Sequence, residues 1–209
     1  MRVAVDAFNL LADRRGMGRF TRGVLQTLRA EPDLELVLVA RNARDASAIA
    51  AESGIEAIAL RAASRKTFDA GWFPWNGMRF ALAPWNVVTM HDAFAFTSPA
   101  RGFVARRKEQ GPVRRAARDA HALTTVSHWS ARELAFALRL DAQQFFITPP
   151  VPDPFFRPVA QRAQGKPFVF ALGGPDERKN VALLIEAWRR AFPDRQVDLH
   201  LGGTLNDRD

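Results

Sequence analysis

Eight consecutive residues, Gly173-Gly174-Pro175-Asp176-Glu177-Arg178-Lys179-Asn180, combine glycines, two adjacent bases and the start of a helical pattern. That combination suits an anion. Glycine lets a ligand come close to the backbone, and the free N–H groups of a helix start favour negative charge. Arg178 supplies a planar fork for phosphate oxygens and Lys179 a compact charge, so Gly174, Arg178 and Lys179 together would suit a diphosphate. The same residues also describe a solvated helix start with two exposed bases, and spacing alone does not separate the two readings.

His91-Asp92 comes directly after Val87-Val88-Thr89-Met90, at the carboxyl end of an expected strand. A histidine there can hydrogen-bond a sugar hydroxyl or steady a reacting group. The alternative is a structural histidine with Asp92 capping the next element. His121, His128 and His200 show no ligand spacing with His91, so no metal site is expected. Gly16, Gly18 and Arg19 precede a helical pattern of Phe20, Val24 and Leu28 and read as a flexible lip over a cleft, or as a plain glycine loop with the arginine pair Arg15 and Arg19. They do not make a dinucleotide fingerprint: Thr21 stands where a third glycine or alanine belongs, and the loop from Val5 is too long. Arg41, placed where a base could meet an NADP phosphate, does not rescue that reading.

A basic stretch holds Arg101, Arg106, Arg107, Lys108, Arg114, Arg115 and Arg118 against the single acid Glu109, with Phe103 and Val104 at its start. It fits a peripheral contact with an anionic membrane, electrostatic binding of nucleic acid, or simply a solvated helix face. Gly111-Pro112 is expected to interrupt the helix, so no long amphipathic anchor is expected. Ser127 fits a helix N-cap, and Ser130-x-x-Glu133 also matches a capping box.

The elements that must position these residues alternate. Apolar runs at Val3–Val5, Leu34–Val39, Ile55–Leu60, Gly71–Pro74, Asn86–Met90, Ala122–Val126 and Phe145–Thr148 are separated by helical patterns. Strands alternating with helices imply an α/β fold, a Rossmann-like doubly wound parallel sheet. Pro149, Pro150, Pro152, Pro154 and Pro158 then fall within ten residues. Proline fixes φ and cannot donate to a ladder, so the stretch reads as a stiff linker. The expected organisation is residues 1–150 as an acceptor-side domain, 151–166 as a linker and 167–209 as the start of a second Rossmann-like domain. A single β-α-β unit there cannot bury both faces of its sheet, so that second domain reads as cut short.

With 209 residues, 47% hydrophobic and 25% charged, the composition is that of a soluble globular protein. The chain has no cysteine, which excludes disulfides, thiolate zinc sites and a cysteine nucleophile. No signal peptide and no membrane-spanning run are evident, so the expected location is cytoplasmic, with the inner face of the plasma membrane as a peripheral site. The net charge of +8 favours anionic partners, or reflects an arginine-rich composition.

Several of these segments resemble the group 1, or family 4, retaining glycosyltransferases of GT-B fold. The carriers are Gly16-Met-Gly-Arg-Phe-Thr21, Met90-His91-Asp92, Thr125-Val126-Ser127-His-Trp-Ser130, the proline stretch 149–158 and the loop 173–180, in that order along nearly the whole chain. The resemblance implies a nucleotide-diphosphate sugar as donor, retention at the anomeric carbon, and a glycan or lipid-linked acceptor, as in polysaccharide biosynthesis. It implies that no catalytic metal or cofactor is needed. Arg178 and Lys179 would hold the departing diphosphate, His91 would lie near the transferred sugar, and Gly16, Gly18 and Arg19 near acceptor and donor phosphates. The Gly-x-Gly-Arg loop leans toward mannosyltransferases. The family's late pair of glutamates has no counterpart before Asp209, so the chain alone is expected to be a weak or inactive catalyst. Two other classes remain open: a non-catalytic interaction module derived from such a domain, and a nucleic-acid binder, ranked last because no aromatic platform interleaves with the bases.

Overall fold

The computed structural model describes residues 1–14, 16–97, 102–152, 156–158, 165–173 and 179–203. The chain divides into two compact units, Met1–Phe155 and Phe156–Asp209.

The first unit is built on a seven-stranded sheet in which every pairing is parallel. Its strands are β1 (Arg2–Asp6), β2 (Glu35–Ala40), β3 (Ala57–Ala59), β4 (Ala70–Phe73), β5 (Trp85–Met90), β6 (Ala122–Thr125) and β7 (Phe145–Ile147). Their order across the sheet is β3-β2-β1-β4-β5-β6-β7. The chain therefore winds outward from β1 to one edge, returns to the middle, and winds outward again from β4. The expected α/β, Rossmann-like doubly wound class is what the structure shows.

Side-chain alternation explains both faces. On β1, Val3 and Val5 pack under α1 (Gly16–Arg29) and α2 (Ala43–Ser53), while Ala4 faces the opposite side toward Phe68 and Ala63. On β4 and β5 the alternation sends Trp72 and Val87 to the first face. It sends Phe73 and Val88 to the second, against α5 (Phe103–Asp119) and α6 (His128–Leu138). Leu38 and Phe73 are fully buried, and each such side chain contributes roughly 1.5–3 kcal/mol relative to exposure. Thr89, buried in the sheet, accepts from Trp72 Nε1 at 2.9 Å and from Thr124 Oγ1 at 2.8 Å, whereas the buried Thr125 Oγ1 has no hydrogen-bond partner among the described residues.

Local signals fix several helix ends. Asn42 caps α2 by accepting from the Asp45 N–H at 2.9 Å, and Gly54, at φ +65°, closes it in the left-handed conformation. Ser127 caps α6 by accepting from the Ser130 N–H at 3.0 Å. One expectation is corrected. Helix α5 runs unbroken through Gly111-Pro112. A proline inside a helix removes one backbone bond and crowds the preceding turn. Here the turn is held from outside, because the Pro112 carbonyl accepts from the Met78 N–H at 3.1 Å. Gly77 packs so closely beneath that a Cβ on it would lie 2.8 Å from the Pro112 carbonyl carbon.

The second unit contains a two-stranded parallel pair, β8 (Phe168–Leu172) and β9 (Asp198–Gly202), joined through α7 (Val181–Ala191). Trp188 of α7 donates its Nε1–H to the Val197 carbonyl at 3.0 Å, tying the helix to the start of β9. Phe168 stacks on His200 at 4.7 Å, and alternate residues Phe168, Phe170 and Leu172 are exposed along one face of β8.

Candidate functional site

In a doubly wound sheet, ligands bind beyond the carboxyl ends of the strands, where the winding direction reverses. That point lies between β1 and β4. A pocket of about 290 Å³ opens there, lined by Asp6 from the end of β1, Arg41 after β2, Trp75, Asn76 and Arg79 after β4, and Asp92 after β5.

Asn76 holds the rim together. Its φ of +62° is left-handed, a conformation that asparagine tolerates better than most residues. Its N–H donates to the Thr89 carbonyl at 3.1 Å, and its Oδ1 accepts from the His91 N–H. Its Nδ2 reaches Asp92 Oδ1 at 3.4 Å, and the same oxygen accepts from the Phe94 N–H at 3.0 Å. The His91-Asp92 turn is thus clamped to the end of β4. Asp92 lines the pocket and also holds its own turn.

His91 sits behind the rim rather than in the pocket lining. Its Nε2 lies 2.8 Å from the Pro74 carbonyl, which can only accept, so Nε2 carries the proton. Phe20 of α1 meets the ring edge-on at 5.0 Å. Burial holds the His91 pKa below the ordinary histidine value, against the Pro74 hydrogen bond and the charges of Asp92 and Asp13. The imidazole is therefore neutral at pH 7, and Nδ1 makes no hydrogen bond among the described residues. Long-range nitrogen–proton spectra should show the Nε2–H tautomer at pH 7, with a titration midpoint below 6.5. A midpoint at or above that value would contradict the geometry. With the folded pKa depressed, the stability from keeping this ring neutral is present at high pH. It declines as pH falls through the unfolded value and the unfolded chain takes up the proton first.

Asp6 is the group that sequence reading missed. Its Oδ1 accepts from the Phe8 N–H at 3.0 Å, and its backbone carbonyl accepts from Trp75 Nε1 at 2.7 Å. Burial raises the Asp6 carboxyl to about 6, against the opposing pull of the Phe8 N–H, Arg41 and Arg79. A carboxyl in that range, in a cleft, can take and return a proton near neutrality. The signal was available, because an acid closing an apolar strand occupies the same kind of position that singled out His91.

The remaining candidates are placed separately. Gly16, Gly18 and Arg19 lie in the first turn of α1, not in a loop, and none lines the pocket. Gly18 is buried against the Asp13 backbone, whereas Gly16 and Arg19 are exposed. The loop is replaced by helix because Arg22 secures the preceding segment. It donates to the carbonyls of Leu10 and, at 2.8 Å, Asp13, and pairs with Glu52 at 3.1 Å. Gly174 and Arg178 lie outside the described residues. Lys179 is exposed just ahead of α7. Nearby, the Gly173 N–H donates to the Gly202 carbonyl at 2.8 Å. Gly203 has φ +104°, and a Cβ there would sit 2.8 Å from the Gly173 oxygen, so the strand ends meet backbone to backbone. Among the described residues no group of three or more histidine, aspartate or glutamate side chains could hold a metal ion. No described helix is long and apolar enough to cross a membrane.

No family model matches the chain, and no curated protein matches it. The group 1 resemblance therefore stays a likeness of motifs. Among solved structures the chain is similar to the ADP-heptose LPS heptosyltransferase II of E. coli, at 14% identity and a TM-score of 0.37, over 99% of this chain. It spans 65% of the length of that protein. A likeness at this level assigns neither activity nor substrate.

Proposed function

We propose that the chain is part of a nucleotide-sugar-dependent glycosyltransferase, with the first unit on the acceptor side and the second beginning the donor side. The single observation that carries this is the convergence at the winding reversal. A near-neutral carboxyl, Asp6, and the clamped turn of Asp92 share one pocket, with the neutral His91 directly behind its rim. In this reading a glycan or lipid-linked acceptor enters the pocket and Asp6 takes the proton from its attacking hydroxyl. The anomeric carbon's bond to the diphosphate breaks and the acceptor oxygen bonds on the face that the diphosphate leaves, as retention requires. Gly174, Arg178 and Lys179 receive the leaving diphosphate, while Gly16, Gly18 and Arg19 stand near the acceptor side. Retention and a mannosyl-type donor are the finer expectations, supported by the motifs alone. The exposed Phe103, Val104, Arg107 and Lys108 at the start of α5 support a peripheral contact with anionic lipid.

Calorimetric titration with UDP, GDP and their hexose conjugates tests the assignment. Binding is expected, and the double variant Arg178→Ala/Lys179→Ala should weaken it about tenfold or more, because two charge-assisted contacts are lost. Absence of any nucleotide binding alongside a stable protein partner would establish the interaction module instead. Salt-sensitive retention on DNA without nucleotide preference would establish a nucleic-acid binder.

A further inference from the structure

The charges in the pocket are unevenly committed. Some bases of the first unit are ion-paired, as Arg14 and Arg22 are with Glu52 and Arg115 and Arg118 with Asp119. Arg41 and Arg79 are both exposed at the pocket, and neither forms a salt bridge among the described residues. Arg41 is nevertheless held in place. Its guanidinium lies over the Phe8 ring at 5.2 Å, Nη2 donates to Asn9 Oδ1 at 3.1 Å, and Nε reaches the Phe8 carbonyl at 3.4 Å. Those contacts use two of its donors, so Nη1 remains open. The Arg79 guanidinium makes no hydrogen bond among the described residues, yet its field reaches Asp6. Asp6, Asp92 and Glu109 share the lining, and none of them forms a salt bridge with either arginine among the described residues. Asp92 is turned to Asn76 and Phe94, Glu109 has an interaction of its own, and Asp6 is bonded to the Phe8 N–H. Two forks with open donors, one of them pre-oriented, are the arrangement that recognises a planar or tetrahedral oxyanion. Beside them, Trp75 is fixed by its bond to the Asp6 carbonyl and gives the pocket an aromatic wall, as a sugar ring requires.

We propose that the pocket selects a sugar carrying an oxyanion, a carboxylate or a phosphate, held between Arg41 and Arg79. The inference rests on the glycosyltransferase reading, in which this ligand is the acceptor. It gives the open donors of Arg41 and Arg79 a partner.

The test is direct binding to the whole chain, without donor, by calorimetry at low ionic strength. The probes are glucose 6-phosphate, glucuronate, glucose and inorganic phosphate. At least one of the two charged sugars should bind about tenfold or more tightly than glucose and than phosphate alone. Which one does so distinguishes a phosphate from a carboxylate acceptor. Arg79→Gln and Arg41→Gln should each reduce that preference severalfold, and Arg41→Lys should restore little of it because the fork is lost. Both side chains are exposed, so unchanged thermal unfolding is the check that the variants fold. Equal binding of glucose and the charged sugars would overturn the inference, as would phosphate binding as well as a sugar phosphate, or variants that leave the preference intact. Transfer to neutral acceptors only would sink this inference and leave the glycosyltransferase reading standing. Oxyanionic sugar binding with no nucleotide binding would do the reverse.

Discussion

Asp6→Asn should make the protein more stable at pH 8 by about 2–3 kcal/mol while changing little at pH 4. Burial is the main cause of the raised Asp6 carboxyl, which titrates at about 6 against an ordinary 3.8. The Phe8 N–H, Arg41 and Arg79 recover only part of the lost hydration. Because the folded value lies above the unfolded one, the folded protein holds the proton more tightly between those two pH values. The associated stability is complete below about pH 4 and is lost as pH rises through about 6. Roughly two units at 1.36 kcal/mol each set the size of the gain, less what the amide loses in placing its extra hydrogens. Urea unfolding of both proteins from pH 4 to pH 8 measures it. Parallel pH dependences would show that Asp6 is not held in this state. A carboxylate kept where it destabilises the fold at working pH points to function, since replacing it would otherwise be an easy gain. In a transfer assay the same variant should lose about 10²–10⁴ in rate, together with any rise in activity near pH 6. More stability with less activity is the combination that only a working carboxyl produces.

Much of the first unit was legible because its signals are local. The apolar runs and the helical spacings of Phe20, Val24 and Leu28 each report their own element, and parallel pairing follows once strands and helices alternate. His91-Asp92 was visible for the same reason, being a polar pair at the end of an apolar run. The pocket was not legible, because it depends on strand order. Asp6 and Trp75 are 69 residues apart and meet only because β4 inserts beside β1. Arg79 and Asn76 lie in an aperiodic connection that gives no element signal. Asp6 closes the apolar run Val3–Val5 as His91 closes its own, but the residue partners that make it a pocket acid come from the segments after β2 and β4 and carry no local signal. The proline at 112 and the glycines at 16 and 18 misled in opposite ways. Each has a strong intrinsic preference, for breaking a helix or for forming a loop. Each is overruled by tertiary contacts, from Met78 and Gly77 in the first case and from Arg22 of the same helix with Glu52 in the second.

Gly18 gives the second large effect, and it separates a packing role from a ligand role. A Cβ built there would lie 1.9 Å from the Asp13 carbonyl oxygen and 2.7 Å from its carbon. Both atoms are backbone, so no side-chain rotation relieves the clash. The segment before α1 would have to move, and with it the Asp13 and Leu10 carbonyls that Arg22 binds. The Arg14 pairing with Glu52 at 2.7 Å moves with the same segment. Gly18→Ala should therefore destabilise the protein by about 3 kcal/mol or more. In thermal unfolding that is a fall of roughly 6–12 °C for a chain of this size. Gly16→Ala is the control, because nothing lies within 4 Å of its added methyl, and its change should stay within about 0.5 kcal/mol. If Gly18 instead served only to let a ligand approach, alanine would leave unfolding untouched and abolish binding alone. The displaced turn also carries Phe20, whose ring meets His91 at 5.0 Å. Loosening it admits water to the imidazole, so the His91 titration in Gly18→Ala should move upward toward 6.5. A destabilised variant whose His91 titrates as in the parent would show that the first turn of α1 does not seal the histidine.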